Sequence, residues 1–552
     1  MTAGRSDRSS PPVCRRLRRA GIIAALSALA LAGCTDDVVG DRAPDDDNTE
    51  TANQSPNDSD DNNSSNANGA GDGENSENDN ASNDNDGEDQ PEEDPCDNLE
   101  CDQVECGDAE PTTSISGTVT IPSGELPLPN VSVYVPNAPV QPLDEGASCQ
   151  QCAGMISGNP LVETATDHTG HFQLRDVPVG EDIPLVIQTG KWRRQVEIAE
   201  ISPCQPHDVD SELTRLPQNS SQGNIPDIAV TTGGWDALQC LIRKIGVDIN
   251  EFTTEPDDGS ITLYAGDDGT DRFADNVNGG QHFTEARAWW DDVNELADHD
   301  IVMHSCDYGS STPSVEARDA LRDFADIGGR AFLTDQHRVW LEEGPDEFQD
   351  VADWQGFSGS TEVQADIDTT FNSGQTMFDW MDETDGLDDN NQLVLWDIWN
   401  NVGSINDNFA RRWIYSDRFG QEQDLYFSFT TPVGADEEDE CGRVVYSDLH
   451  MADGSGADVY DPFPDGCTDD EMSGQEKALV YLLFDLTSCV QADCQEVTCE
   501  DIADDCGIHS DGCGGTIDCG ECCSDVGEEC KSDDECCDGL ICDAANTCQV
   551  IP

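Results

Sequence analysis

Basic residues are scarce in this chain of 552 residues. Only 26 Lys and Arg side chains stand against 116 Asp and Glu, which gives a formal net charge of −90 at pH 7, and just four of the 26 are Lys. Binding to nucleic-acid phosphates requires basic patches, so this balance excludes a general DNA- or RNA-binding protein. The acidic excess favours a protein kept soluble in a salty medium, with compositional drift as the alternative explanation.

Long apolar runs are also missing after the first 33 residues, so no later segment is expected to cross a bilayer. Four Arg between positions 15 and 19 precede a short apolar stretch, 21–32, that ends in Leu-Ala-Gly-Cys34. This ending resembles the lipobox of bacterial lipoproteins. The resemblance implies a signal peptide, 1–33, that is cleaved before Cys34, and a lipid on the Cys34 thiol that anchors the protein in a membrane. Thr35 at the next position favours the outer membrane by analogy with that family. The alternative is an ordinary secretory signal with a chance cysteine.

The segment after Cys34 lacks the residues that build a core. Positions 35–95 contain 21 Asp and Glu and one Arg, and they contain no aromatic residue, Leu, Ile or Met. Such a segment cannot bury enough apolar surface to offset the entropy of ordering it. We predict a disordered acidic tether over 34–95, with a loose cation binder as the alternative.

Cysteine, in contrast, is abundant. The chain has 25 cysteines, which is too many for a protein of a reducing compartment and favours an oxidising one. The spacing Cys96-x4-Cys101-x4-Cys106 recurs at Cys489-x4-Cys494-x4-Cys499. We interpret both groups as disulfide staples and assign the first to a short Cys-rich segment, 96–111. Metal binding is the alternative, but metal pairs usually show shorter spacing and histidine partners.

The segment 112–215 reads as short strands separated by Gly and Pro turns. Alternating stretches occupy 114–121 and 129–135, a tight turn follows at 166–170, and another strand pattern lies at 185–188. This predicts an all-β sandwich. The order S-I-S-G-T-V-T, P-N-V-S-V-Y-V, T-D-H-T-G-H-F-Q-L, V-P-V-G resembles the carboxypeptidase regulatory-like domain. That resemblance implies a transthyretin-like sandwich, grouped with carbohydrate-binding-like folds, with a structural or adhesive role and no catalytic residues.

Two features of this segment are candidates for function. Cys149 and Cys152 lie in an insertion, and in a secreted protein they favour a disulfide, with Cys204 or Cys240 as candidate partners. Trp192 lies in an unusual Lys-Trp-Arg-Arg patch. Its ring is a candidate for stacking on a sugar, although packing against the next domain is the favoured interpretation.

The segment 223–488 alternates between strand and helix patterns. Strands are predicted at 227–231, 261–264, 300–303, 330–334 and 443–447, and helices around 238–245, 285–297, 317–324 and 478–483. This alternation predicts an α/β domain with a parallel sheet and helices on both faces.

Ligands of such sheets bind beyond the carboxyl ends of the strands, so the residues that directly follow each strand are informative. The catalytic candidates are His304, Cys306, His337, His450, Asp335 and Asp448. The binding candidates at the same strand ends are Trp235, Asp307 and Gln336. Loop formation or helix capping is the alternative role for each of these polar residues.

Two stretches of this domain resemble one family. Residues 324–337 have the order helix, Gly-Gly, strand and His. Residues 441–450 contain a strand that begins with Gly-Arg-Val and is followed by His. Both resemble the trehalose-utilisation (ThuA-like) family, which implies a flavodoxin-like fold of the class I glutamine amidotransferase-like group. In amidotransferases a nucleophilic Cys follows the strand that ends here at Thr334. This chain has Asp335-Gln336-His337 instead, so glutaminase chemistry is not expected.

Cys306 is the remaining candidate nucleophile, with His337 or His450 as its base. A disulfide partner is the alternative, although the odd number of cysteines after Cys34 leaves at least one without a partner in the monomer. A divalent metal held by His304, His337, His450 and the nearby Asp residues is a further alternative. No short metal motif supports it, so the sequence predicts no metal and no cofactor.

The tail is too poor in apolar residues for a conventional core, so disulfides are expected to hold it. We assign 489–522 to a Cys/Gly-rich segment. The spacing C-x6-C-x5-C-C-x4-C-x5-C over 523–552 resembles inhibitor-cystine-knot (knottin) proteins. That resemblance implies the pairs Cys523–Cys537, Cys530–Cys542 and Cys536–Cys548, one of 15 pairings that six cysteines allow.

These parts predict a multidomain protein: a β-sandwich, a flavodoxin-like α/β domain and a small disulfide-rich module, tethered to the outside of a cell. The expected function is extracellular binding or adhesion, with a glycan or another surface polymer as partner and no nucleic acid. The alternative is a hydrolase of the ThuA-like or amidotransferase-like group that acts on sugar or amide substrates.

Overall fold

The computed structural model describes residues 96–107, 112–257, 259–307, 312–355, 359–418, 421–451 and 459–490, and four short strands of the tail. Cys34, the tether and most of the cysteine-rich tail lie outside the described residues. The lipid anchor and the three knottin disulfides therefore stay predictions. Among the described helices, none combines the length and the hydropathy that a bilayer span needs.

Strands predominate over helices in the described residues. The strands are β1 (Ser114–Thr118), β2 (Ser132–Pro136), β3 (Pro160–Ala165), β4 (His171–Arg175), β5 (Gly180–Thr189), β6 (Trp192–Ile201), β7 (Pro206–Asp208), β8 (Ile228–Thr231), β9 (Phe252–Thr253), β10 (Ile261–Ala265), β11 (Thr284–Glu285), β12 (Ile301–His304), β13 (Arg330–Thr334), β14 (Ala352–Trp354), β15 (Ser360–Ile367), β16 (Leu393–Ile398), β17 (Val402–Ile405), β18 (Ala410–Arg418), β19 (Gln421–Thr431), β20 (Gly442–Ser447), β21 (Ile508–Ser510), β22 (Thr516–Asp518), β23 (Leu540–Cys542) and β24 (Cys548–Val550). The helices are α1 (Cys152–Met155), α2 (Ser211–Thr214), α3 (Leu238–Lys244), α4 (Val293–Ala297), α5 (Val315–Asp326), α6 (Val339–Glu342), α7 (Asp346–Gln349), α8 (Asn372–Glu383) and α9 (Gly474–Thr487).

The N-terminal strands form two small sheets. One has the order β4-β1-β7 and the other the order β3-β2-β5-β6. Val133 and Val135 of β2 are fully buried, and Phe172 and Leu174 of β4 alternate with exposed neighbours, as expected for strands with one face on a core. The strand prediction for this segment is confirmed, and the structure adds the one-turn helices α1 and α2.

The large sheet formed by the segment 223–488 is mixed rather than parallel, which corrects the sequence prediction. Strands β11-β10-β8-β12-β13-β20 pair in parallel, and β19, β18, β15 and β16 continue the same sheet in antiparallel pairing. All residues of β8, β10, β12 and β13 are buried, because both faces of these central strands are covered. The continuous apolar runs of the parallel half predicted it well. The antiparallel half carries polar residues along its strands, and their pattern does not reveal the pairing direction.

The predicted helices at 238–245, 317–324 and 478–483 are confirmed as α3, α5 and α9. The helix predicted over 285–297 is wrong in its first part. There the chain forms a short strand, a 3-10 turn at Ala286–Ala288 and only then α4. Trp289 and Trp290 are buried in this stretch, so the apolar residues that indicated a long helix are satisfied by packing in irregular backbone.

One hydrophobic core crosses from the small sheets to the mixed sheet. Val119 and Trp192 belong to the same buried cluster as Ile228 of β8 and Phe484 of α9. Trp192 is fully buried, and its ring lies 5.7 Å from that of Phe484. Stacking of Trp192 on a sugar is therefore wrong, and packing against the following segment is correct. The boundary between the two predicted domains stays a prediction.

Disulfides join distant parts of the chain. Cys149 pairs with Cys441, and Cys152 pairs with Cys489. The expected partners Cys204 and Cys240 are wrong, since they pair with Cys106 and Cys467. The staple interpretation of the first cysteine group is confirmed, because Cys96 pairs with Cys101.

Candidate functional site

The carboxyl ends of four neighbouring parallel strands bring most of the predicted candidates together. In sheet order these strands are β8, β12, β13 and β20. Cys306 follows β12 by two residues, Asp335 directly follows β13, and Asp448 and His450 follow β20. We call the set Cys306, Asp335, Asp448 and His450 the carboxyl-edge cluster. Its members are at most 2 % exposed.

Asp335 occupies the centre of this cluster. It opens the 3-10 turn Asp335–Arg338 with φ 41°, a left-handed conformation that few residues other than glycine, Asn and Asp adopt. Its Oδ1 accepts hydrogen bonds from Asn401 Nδ2 at 2.7 Å and from Gln336 Nε2 at 3.3 Å. Its Oδ2 lies 3.2 Å from His450 Nε2 and accepts from Cys306 Sγ at 3.4 Å. The binding candidate Gln336 therefore holds Asp335 in place.

His450 presents a defined nitrogen to Asp335. Its Nδ1 lies 3.1 Å from the carbonyl oxygen of Asp397, which fits an N–H donor at Nδ1 and leaves Nε2 facing the carboxylate. The approach of Nε2 to Asp335 does not form a hydrogen bond of acceptable geometry, and Nε2 has no other partner. Burial lowers the pKa of His450, but the carboxylates of Asp335, Asp236 and Asp448 outweigh it and raise the pKa above its usual value.

Cys306 is the one cysteine with a free thiol among the described residues. Burial and the neighbouring carboxylate of Asp335 raise the pKa of this thiol well above its usual value. The thiol donates to Asp335 rather than to a histidine. This arrangement is opposite to that of an activated cysteine, which needs a lowered pKa and a base within hydrogen-bond reach. The structure thus argues against nucleophilic catalysis by Cys306.

Asn401 links the two carboxyl groups of the cluster. Its Nδ2 donates to Asp335 Oδ1 and, at 2.6 Å, to Asp448 Oδ1, which also accepts from Tyr446 at 2.8 Å. Burial first and then Asp335 raise the pKa of Asp448 to about 7. Asn401 lies in the β16–β17 connection, outside any strand end of the parallel half, so the sequence offered no signal for it.

Asp236 is a further acidic residue that the sequence reasoning missed. It is fully buried, and its Oδ1 accepts from the backbone N–H groups of Ala237 and Met451. Its Oδ2 is buried without a partner. Asp236 comes one residue after Trp235, the last residue that the rule of strand ends selects after β8.

His304 and His337 are structural residues rather than partners of His450. The His304 ring stacks on Trp340 with centroids 4.7 Å apart, and burial together with His337 lowers its pKa well below the usual value. His337 Nε2 lies 2.9 Å from the carbonyl oxygen of Ser305, and its Nδ1 accepts from Trp340 Nε1 at 2.9 Å. Both nitrogens of His337 are therefore engaged. The metal site considered from the sequence is therefore wrong in its use of His304 and His337, whereas its His450 and the nearby Asp335 lie close together.

The two remaining binding candidates differ in exposure. Asp307 is 3 % exposed, and its carboxylate lies 3.9 Å from His337 Nε2, so burial makes it unsuitable as a surface contact. Trp235 is 42 % exposed, and its backbone N–H donates to the carbonyl oxygen of Cys306.

A separate open feature is a groove of about 970 Å³ between the four-stranded sheet of the N-terminal region and the mixed sheet. One wall contains residues of β2, β3 and β5, and the other contains parts of β18, β19 and α9. Aromatic, amide and carboxylate side chains line it, among them Phe371, Phe409 and Asp407. The Arg411 guanidinium lies over the Phe371 ring at 4.9 Å, and Phe409 is 36 % exposed. We call this feature the inter-sheet groove.

Comparisons with known proteins give little further guidance. No family model and no curated protein matches the chain. Among solved structures, a ThuA-like protein from Bacteroides uniformis is 10% identical, with 46% of this chain and 89% of that chain covered and a TM-score of 0.25. A type II cohesin–X-dockerin complex from Acetivibrio cellulolyticus is 12% identical, with 26% and 78% covered and a TM-score of 0.13. At such TM-scores these likenesses carry no argument about fold or function.

Proposed function

We propose that this chain is a surface-exposed outer-membrane lipoprotein, anchored through Cys34, that binds a neutral carbohydrate or surface polymer in the inter-sheet groove. The observation that carries the proposal is the groove itself, which is large, open and lined by aromatic, amide and carboxylate side chains. Clefts between structural units with apolar walls and a few polar groups are the usual ligand sites of proteins. The transthyretin-like and flavodoxin-like assignments of the two regions belong to the same proposal.

The chemistry of the groove favours sugars. Aromatic rings such as Phe409 cover the apolar faces of a sugar, and Asn and Asp side chains hydrogen-bond its hydroxyl groups. Asp407, Glu163 and Glu437 make the lining acidic, and the whole chain carries a net charge of −90. An anionic polymer would be repelled by this field, so the partner is a neutral glycan.

Binding is tested with the mature full-length protein on a glycan array, followed by titration calorimetry with the best glycan. We expect Phe409→Ala to weaken binding about tenfold, the loss typical of one interface anchor. Tyr460→Ala, at a 61 % exposed aromatic outside the groove lining, is the matched control and should bind normally. The proposal fails if no glycan binds, or if Phe409→Ala binds as well as the control.

The variant Trp235→Ala distinguishes glycan binding in the inter-sheet groove from glycan binding at the carboxyl edge of the mixed sheet. Trp235 is exposed but lies outside the groove lining. Loss of glycan binding in this variant and not in Phe409→Ala would assign the glycan site to the carboxyl edge.

A hydrolase is the second candidate, because Asp335 and His450 face each other at the strand ends. Asp335 would accept a proton from the attacking water, and protonated His450 would donate one to the leaving oxygen or nitrogen. The burial of both side chains opposes this role, since a substrate must reach them. Hydrolysis of sugar or amide model substrates that falls about 100-fold or more in His450→Gln would support it. Equal rates in His450→Gln and in His282→Gln, an exposed control, would exclude it.

A further inference from the structure

We propose that Cys306, Asp335 and His450 form a binding site for one divalent metal ion, with Zn²⁺ as the best-fitting ion. The inference is independent of glycan binding in the inter-sheet groove. It also replaces the sequence expectation of no metal. The proposed set keeps His450 and one nearby Asp from the alternative considered there, and Cys306 takes the place of His304 and His337.

Two of the three distances among the ligand atoms match a tetrahedral ion. One ligand atom from each residue can be chosen so that all three lie within 4.8 Å of one another. Cys306 Sγ lies 3.4 Å and His450 Nε2 3.2 Å from the same oxygen, Oδ2 of Asp335. Zinc binds sulfur at about 2.3 Å and nitrogen or oxygen at about 2.0–2.2 Å, so tetrahedral ligand atoms stand roughly 3.3–3.7 Å apart. Only a small movement of side chains would be needed.

The outer contacts already orient two of the ligands. The Asp397 carbonyl oxygen lies 3.1 Å from His450 Nδ1, and Asn401 Nδ2 donates to Asp335 Oδ1 at 2.7 Å. Metal-binding histidines usually donate their second N–H to a carbonyl or carboxylate in this way, and ligating carboxylates are themselves hydrogen-bonded. The atoms left facing inward are those that a metal would take.

Unpartnered buried atoms supply independent support. His450 Nε2 and Asp236 Oδ2 are both buried and without a hydrogen bond, and their residues are at most 2 % exposed. The carboxylates of Asp236, Asp335 and Asp448 are buried together, and among the described residues none of them pairs with Lys or Arg. Three buried carboxylates beside one histidine leave negative charge that is costly to bury, and a divalent cation would compensate it.

The donor set selects the ion. A thiolate, an imidazole and a carboxylate are zinc ligands, whereas Mg²⁺ and Ca²⁺ prefer oxygen alone. Binding would replace the Cys306 S–H bond with an S–Zn bond and release that proton to solvent, together with the proton on His450 Nε2 where His450 is charged, with no change of oxidation state. A water would complete four-coordination.

The test uses the mature full-length protein, stripped of metal and reloaded with Zn²⁺ or Co²⁺. We expect one zinc per chain at this site and a thiolate-to-cobalt charge-transfer band in the near ultraviolet. Cys306→Ser should abolish the band, and Asn401→Ala should weaken zinc binding by about 10–100-fold, as outer contacts do. Asp335→Asn keeps a residue that tolerates the positive φ, so it removes the charge with little backbone strain.

Matched variants keep the outcome interpretable. His282→Gln, at an exposed histidine paired with Asp271, should bind zinc like the parent. The decisive readout is the difference between Cys306→Ser and this control. An unchanged cobalt band in Cys306→Ser, or equal zinc content in folded His450→Gln and His282→Gln, overturns the proposal.

The metal content also separates this inference from the hydrolase candidate. Zinc bound without any hydrolysis supports a structural site. Hydrolysis that persists in metal-free protein assigns the activity to proton transfer between Asp335 and His450 and not to the metal.

Discussion

The two ends of the parallel strands hold buried charge in opposite ways. At the amino end, Asp300 pairs with Lys191 and accepts from the backbone N–H of Asp227 at 2.7 Å. Arg443 pairs with Asp485 at 3.0 Å, and Arg330 donates to the carbonyl oxygen of Cys441. At the carboxyl end the carboxylates of Asp236, Asp335 and Asp448 have no Lys or Arg partner among the described residues. His450 is the basic side chain beside them, and their hydrogen-bond donors are neutral groups.

This difference distinguishes a structural edge from a candidate functional one. The amino edge is balanced by Lys and Arg, and the disulfides Cys149–Cys441 and Cys152–Cys489 reinforce it. The carboxyl edge carries excess negative charge and unpartnered atoms, features that proteins tolerate mainly where a ligand compensates them. The three predictions below test this contrast.

The largest loss of stability is expected from Lys191→Met at the amino edge. The Met side chain keeps the apolar stem but leaves Asp300 buried without its cation, and breaking one partner of a buried pair costs about 3–5 kcal/mol. Urea unfolding of the metal-free protein measures the loss. The double variant Lys191→Met with Asp300→Asn should recover most of the stability, because the stranded charge is then removed. A loss below 1 kcal/mol in the single variant would contradict a balanced, structural edge.

At the carboxyl edge, Asp236→Asn is expected to change the free energy of unfolding in the opposite direction and to stabilise the protein. Burial raises the pKa of Asp236, so its carboxylate opposes folding at neutral pH, and the amide removes that charge while Oδ1 keeps both backbone hydrogen bonds. We expect the metal-free protein to gain about 1–2 kcal/mol. Asp292→Asn, at a carboxylate on the surface that caps α4, is the control and should lose a little stability. Destabilisation by Asp236→Asn would show that the charge at this edge is already compensated.

The sequence predicted the carboxyl-edge cluster better than it predicted the fold around it. Cys306, Asp335, Asp448 and His450 were found because buried apolar strands and the rule of strand ends are local signals. Asn401 comes from a loop more than 60 residues away from Asp335, and nothing local marks it. His304 and His337 follow the same rule as His450. Their contacts with Trp340, a stacked ring for His304 and a hydrogen bond for His337, indicate that they are structural. The pairing of Cys149 with Cys441 spans 292 residues, a separation that cysteine spacing does not encode.

The smallest effect should appear as a pH dependence at Asp227 of the amino edge. Burial first and then the nearby Asp300 raise the pKa of Asp227 to about 6, from an ordinary 3.8. Between these values the folded chain binds more protons than the unfolded chain, so the contribution of Asp227 to stability falls as the pH rises through this window. Asp227→Asn should therefore be more stable than the parent at pH 7, and the two should converge below pH 4. Because Asp227 is partly exposed, solvent screening reduces the full shift to a difference of about 1 kcal/mol. Urea unfolding at pH 4 and pH 7 measures it, and the opposite sign at pH 7 would mean that Lys191 stabilises the Asp227 carboxylate as well as that of Asp300.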